Sequence, residues 1–208
     1  MDKLLDLIEN LKNNSVKSLV NTRIKEFEQV WKKSNKEIFK EFCFCVLTAN
    51  FDAEKGIKIQ EKIGDDFLKL SEKQLAKKLK KIGYRFPNTR AKYIAESRKF
   101  KNNLKEIINS FESEKEKREW LVKNMKGLGY KEASHFLRNI SYKNLAIIDF
   151  HIIDLLEKHG LIERPKTITR KKYFEIEGLL EKIAEKSGLS LAELDLYLWY
   201  METGKVLK

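Results

Sequence analysis

Met125-Lys126-Gly127-Leu128-Gly129-Tyr130-Lys131-Glu132-Ala133-Ser134-His135-Phe136-Leu137-Arg138-Asn139 is the stretch on which the reading of the chain turns. Gly127-Leu128-Gly129 interrupts two helical patterns of apolar residues. A Gly-hydrophobic-Gly turn lets the chain reverse tightly. It also leaves the amides at the start of the next helix unshielded, where an anion is favoured. A plain αα-hairpin whose glycines only permit close packing accounts for the same residues, and at this point both readings stand.

Outward from the turn the helical period persists almost throughout the 208 residues, punctuated by only 9 Gly and 2 Pro. The fold class expected is all-α. Leu4, Leu7, Ile8 and Leu11 make one apolar face, and Leu19, Val20, Ile24, Phe27 and Trp31 another, with an Asn13-Asn14-Ser15 turn between them. Helix starts are marked by Ser34 with Glu37, Ser71 with Gln74, Ser113 with Glu116 and Ser190 with Glu193. In each pair the hydroxyl accepts from an orphan amide and the longer side chain reaches back. Further helices are expected at about 52–63, 88–100, 130–140, 150–159 and 170–186, and Gly64, Gly83, Gly160 and Gly188 are placed to stop helices. No Pro-, Gly- or Ser-rich linker separates parts of the chain, so any two lobes must pack closely.

The 43 Lys and Arg outnumber 31 Asp and Glu, giving a formal charge of +12 that favours a polyanionic partner. A Lys-rich surface of the kind thermophilic proteins carry explains the same numbers. Cys43 and Cys45 are too few and too close for a disulfide framework or a tetrahedral zinc site, and read as buried thiols of a reducing cytosol. No stretch approaches the roughly 20 apolar residues of a membrane span. A cytoplasmic protein without membrane contact is expected.

The hairpin stretch resembles the helix-hairpin-helix of the DNA glycosylase superfamily, including Lys131 two residues after Gly129 and Ala133 beyond it. The run Leu145-Ala146-Ile147-Ile148-Asp149-Phe150-His151 resembles the apolar-apolar-Asp-x-His segment that follows the hairpin there, with Asp149 standing 18 positions after Lys131. More closely, the chain resembles the archaeal-type 8-oxoguanine DNA glycosylase/AP lyase family over essentially its whole length. The residues carrying this are Cys43 to Asn50, Lys126 to Asn139, Ala146 to His151, Glu193 to Met201 and Thr203 to Lys208. The four cysteines of the iron–sulfur branches are absent. Phe150 departs from the pattern, which expects a basic or smaller residue there.

The resemblance implies a two-lobed helical fold with DNA in the cleft, one lobe formed by residues 1–30 plus 142–208 and the other by 31–141, ending in the hairpin at about 114–140. It implies a monomer that needs no metal or cofactor, although the hairpin carbonyls offer a place for a monovalent ion. The partner implied is double-stranded DNA containing 8-oxoguanine.

An amine nucleophile must be neutral, yet an isolated Lys titrates near ~10.4, so its site must lower that value. Lys131 falls in the first turn after Gly129, where the helix dipole and desolvation both act in that direction. Asp149 would stabilise positive charge on the sugar, and it also reads as the N-cap of the next helix. By resemblance Phe86 and Trp199 sandwich the purine and Lys208 reaches the base pocket, while Asp195, one turn before Trp199, could face it. Asn50 stands where the resemblance implies a polar residue that fills the hole left by the extruded base, and it also reads as a simple helix C-cap. Gly127, Gly129, Arg85 and Arg90, together with Arg98 and the 164–172 loop, are candidate DNA contacts. His135 and His151 read as structural hydrogen-bonding residues. A non-enzymatic hairpin that grips phosphates, and a glycosylase for a different lesion, are the alternatives.

Overall fold

The computed structural model describes residues 1–208, and all of its regular structure is helical. The helices are α1 (Asp2–Lys12), α2 (Val16–Trp31), α3 (Asn35–Thr48), α4 (Ala53–Ile63), α5 (Asp66–Lys69), α6 (Glu72–Lys81), α7 (Pro87–Ser97), α8 (Leu104–Asn109), α9 (Glu114–Asn124), α10 (Tyr130–Asn139), α11 (Phe150–Lys158), α12 (Arg170–Ser187) and α13 (Leu191–Thr203). Ser71, Ser113 and Ser190 form reciprocal caps with Gln74, Glu116 and Glu193. Ser34 makes only half of one: its hydroxyl accepts from the Glu37 amide, while the Glu37 carboxylate turns to Lys40 at 2.6 Å. The helix expected at 88–100 begins one residue earlier, at Pro87, whose fixed φ suits a first helical position. It tightens into a 3₁₀ turn at Arg98–Phe100. Two short helices, α5 and α8, were not expected, since four and six residues are too few to show a period.

Helix α3 is the axis of the larger apolar cluster. Every residue from Glu41 to Thr48 is buried, and Phe39, Phe42 and Phe44 pack with Phe67 and Phe136 from α5 and α10. Side chains of this size stabilise the fold by roughly 1.5–3 kcal/mol each when fully buried. A second cluster joins α1, α11, α12 and α13, and a third packs α2 on α13 through Val20, Ile24, Phe27, Leu196 and Tyr197. Helix α13 is therefore apolar on two sides, so no single stripe marks it out.

Between α10 and α11 the chain runs without helix, and Leu145 to Ile148 are all buried. Such a segment needs hydrogen-bond partners for its backbone. The Ala146 amide donates to Glu177 at 3.0 Å, and the Tyr173 hydroxyl donates to the Ala146 carbonyl at 2.7 Å. Glu177 also receives both guanidinium arms of the buried Arg118 from α9, at 2.5 and 2.8 Å. Removing one partner of a buried pair typically costs ~3–5 kcal/mol. This pair locks the first helix of the hairpin, α12 and the segment leading to Asp149 in one register.

Candidate active site

A cavity of about 570 Å³ opens where the end of α3, the start of α10, the start of α11, the middle of α13 and the C-terminal residues converge. Lys131, Asp149, Asp195, Trp199, Asn50 and Lys208 all line it. Residues spread over 159 positions of sequence thus meet on one concave surface.

The hairpin presents the first of these. Helix α9 ends at Asn124 with Met125 as its cap, and Gly127 turns the chain with φ +89°, a backbone that side-chain-bearing residues rarely adopt. A Cβ at Gly127 would also lie 2.6 Å from the ring of Tyr93, so conformation and space both require glycine. Gly129 differs: its φ of −90° is open to any residue, and an added Cβ would meet only the flexible Glu132 carboxylate at 3.2 Å. Of the amides at this helix start, that of Gly129 is not left free for an anion. It donates to Glu132 at 3.2 Å, because this side chain folds back over the helix start. Lys131 follows in the first turn of α10, half-buried, at the cavity.

Asp149 caps α11, its Oδ1 accepting from the Ile152 amide at 3.1 Å. Its other carboxylate oxygen makes no hydrogen bond within the chain. The dual placement expected for Asp149, helix cap and cavity wall, is thus present in one side chain. Phe150, the departure from the family pattern, stands 65% exposed at the cavity mouth.

Asp195 is buried beside Arg138, with which it forms an ion pair. Burial dominates its titration and pushes it up to about 6; the negative charge of Asp149 adds to the rise, while Arg138 and Lys131 oppose it. Trp199 meets the His151 ring edge-on at 4.8 Å, and its buried indole nitrogen has no partner. His135, expected to be a structural hydrogen-bonding residue, is 7% exposed with neither ring nitrogen paired, and it lines the cavity. Burial, reinforced by the positive charges of Arg138, Lys131 and Lys208 and only partly opposed by the Lys208 backbone, holds it well below the usual histidine range and therefore neutral. Orphaned buried polar groups are uncommon, and here two of them face the same cavity.

Other expected residues lie elsewhere. Phe86 does not line the cavity, so the sandwich with Trp199 is not formed in this structure. The reason is local: Phe86 caps α7, packs on the larger cluster and is covered by the guanidinium groups of Arg85 and Arg90 at 4.8 and 5.7 Å. The aromatic rings at the cavity besides Trp199, His135 and His151 are Phe51 and Phe150. Arg90 donates to the Ala49 carbonyl at 3.0 Å, closing the end of α3, and Arg98 donates to the Phe67 carbonyl at 2.7 Å. Both are tied to the fold. In the 164–172 loop, Arg164 pairs with Asp154 and Glu157, and Arg170 with Glu119 and the Tyr130 hydroxyl. Asn50 takes a left-handed backbone, φ +57°, directly after Ala49 ends α3. Cys43 and Cys45 are buried, unpaired thiols, both driven upward in pKa by burial.

A family described as 8-oxoguanine DNA glycosylase matches residues 20–189. The chain is 53% identical over 209 aligned positions to the 8-oxoguanine DNA glycosylase/AP lyase of Korarchaeum cryptofilum, covering 100% of this chain and 99% of that one. Among solved structures it is similar to the Methanocaldococcus jannaschii 8-oxoguanine glycosylase/lyase in complex with 15mer DNA containing 8-oxoguanine. The TM-score is 0.96 at 55% identity, covering 99% of this chain and 100% of that one. It is also similar to the 8-oxoguanine DNA glycosylase of Thermotoga maritima, with a TM-score of 0.93 at 44% identity, covering 100% and 99% of the two chains.

Proposed function

The chain belongs to the 8-oxoguanine DNA glycosylase family, and from that premise we propose that it excises 8-oxoguanine from duplex DNA and cleaves the strand at the resulting abasic site through Lys131 and Asp149. The observation that carries this reading is that an amine at a helix start and a carboxylate 18 positions later line one cavity, beside an indole wall and the chain's own C-terminus.

The lone pair of the Lys131 amine attacks the sugar C1′ while the bond from C1′ to the base nitrogen breaks, and the base leaves with that electron pair and takes up a proton. Opening of the sugar ring gives a Schiff base between Lys131 and C1′. Loss of a C2′ proton then expels the 3′ phosphate by β-elimination. Asp149, held by the Ile152 amide, stabilises the positive charge that develops on the sugar and takes part in handling the amine's proton.

For substrate choice, Trp199 offers a flat wall on which an extruded base can stack. 8-Oxoguanine carries a hydrogen on N7 where guanine has a lone pair. The terminal carboxylate of Lys208 is an acceptor at the cavity that attracts the first and repels the second. We further propose that the protein acts as a monomer inside the cell; no helix is long and apolar enough to cross a membrane.

The test is incubation with duplexes carrying 8-oxoguanine, uracil or thymine glycol, each with borohydride present. The 8-oxoguanine duplex should yield a covalent protein–DNA adduct and the other two little or none. Equal trapping on all three, or none on 8-oxoguanine, overturns the reading.

A further inference from the structure

Lys208 ends the chain five positions beyond α13, where fraying is the usual state. Its ammonium instead donates to Glu41 Oε1 at 2.8 Å and Gln60 Oε1 at 2.5 Å, and lies 4.4 Å from the centre of the Phe44 ring. Both acceptors are themselves held. The Gln60 amide nitrogen donates to the Lys40 carbonyl at 3.0 Å and to Glu41 Oε1 at 3.1 Å, which turns its oxygen toward Lys208. Asn139 donates to the other Glu41 oxygen at 3.4 Å, and Asn139 in turn accepts from Arg138, the partner of Asp195. Three residues upstream, Lys205 pairs with Glu54. Helix α4 thus supplies an anchor, Glu54 and Gln60, at each end of the terminal segment.

Glu41 is 8% exposed and is the one buried charged residue of α3, in a helix otherwise packed by phenylalanines. A buried carboxylate adds little stability over an apolar residue of its size. Its position is accounted for by what it holds.

We propose that Glu41 and Gln60 form a clamp for the C-terminal residue, acting as positioning residues for base selection. By holding the Lys208 ammonium they keep its carboxylate at the cavity wall. The proposal rests on the reading that this carboxylate recognises the base.

The test measures, under single-turnover conditions, the ratio of 8-oxoguanine excision to strand cleavage at a pre-formed abasic site, which has no base to read. Lys208→Met keeps the chain length and the terminal carboxylate and removes only the ammonium. Lys208→Met and Glu41→Gln should each lower the ratio by on the order of 10- to 100-fold, the scale of a misplaced contact. Lys208→Arg should restore it to within a few-fold of wild type, and the Glu41→Gln/Lys208→Met double variant should be no worse than either single, since both remove one contact. A chain truncated after Leu207 separates the two failures. If truncation lowers the ratio while Glu41→Gln and Lys208→Met leave it intact, the clamp is wrong and the carboxylate reading stands. If truncation also leaves it intact, the carboxylate reading fails and the clamp with it. Thermal unfolding checks that Glu41→Gln folds; if it does not, Lys208→Met, altered only at the chain end, decides the matter alone.

Discussion

On the proposed reading Asp149 has two duties, and a single substitution separates them. One carboxylate oxygen caps α11, and the group as a whole faces the cavity. Asp149→Asn keeps a capping oxygen, so thermal or denaturant unfolding should show a change of no more than about 1 kcal/mol. Base excision should fall by at least ~100-fold, the usual scale for losing a preorganised charge that stabilises a transition state. Near-normal excision by the folded variant would reduce Asp149 to its cap. At this scale the sequence was legible where chemistry depends on local context: Lys131 follows a turn and Asp149 precedes a helix, and both positions can be read along the chain. It was not legible where burial decides. His135 reads as a structural hydrogen-bonding residue, and only its burial against Phe44, with a ring separation of 5.7 Å, reveals that its nitrogens find no partner. Phe86 reads as a pocket wall, but two flanking arginines and the start of α7 hold it outside the cavity.

The hairpin is the element on which the site depends, and its two glycines are not equivalent. Gly127→Ala must force a φ of +89° and bring a Cβ to within 2.6 Å of the Tyr93 ring, so it should destabilise the protein by more than about 1 kcal/mol. Gly129→Ala keeps an ordinary φ of −90° and meets only the end of a flexible side chain, so its effect should stay below about 1 kcal/mol. Denaturant midpoints of the two variants check this; equal losses would contradict the distinction. Sequence pattern treats the pair alike because spacing carries no φ. Helix starts were far more legible, since a serine and a Glu or Gln three residues later are both contacts and letters. Glu37 broke that pattern because Lys40 offers its carboxylate a closer charge. The buried run from Leu145 to Ile148 falls between two expected helices, and the side chains that hold its backbone, Glu177 and Tyr173, are distant in sequence.

For the molecule as a whole, the charge of +12 indicates a polyanion but not where it binds. Several arginines that sequence offers as phosphate contacts are committed within the fold, Arg90 to the Ala49 carbonyl, Arg98 to the Phe67 carbonyl and Arg170 to Glu119. The apolar clusters were foreshadowed by helical periodicity, whereas the cavity between them arises only when the hairpin, the segment before α11 and the chain end meet. The central claim is that this convergence makes Lys131 a nucleophile. Its most direct test is borohydride trapping of Lys131→Gln on an 8-oxoguanine duplex, beside a binding measurement on the same DNA. The account predicts retained binding, no covalent adduct and no strand break. A Lys131→Gln protein that traps and cleaves as the wild type does would contradict it.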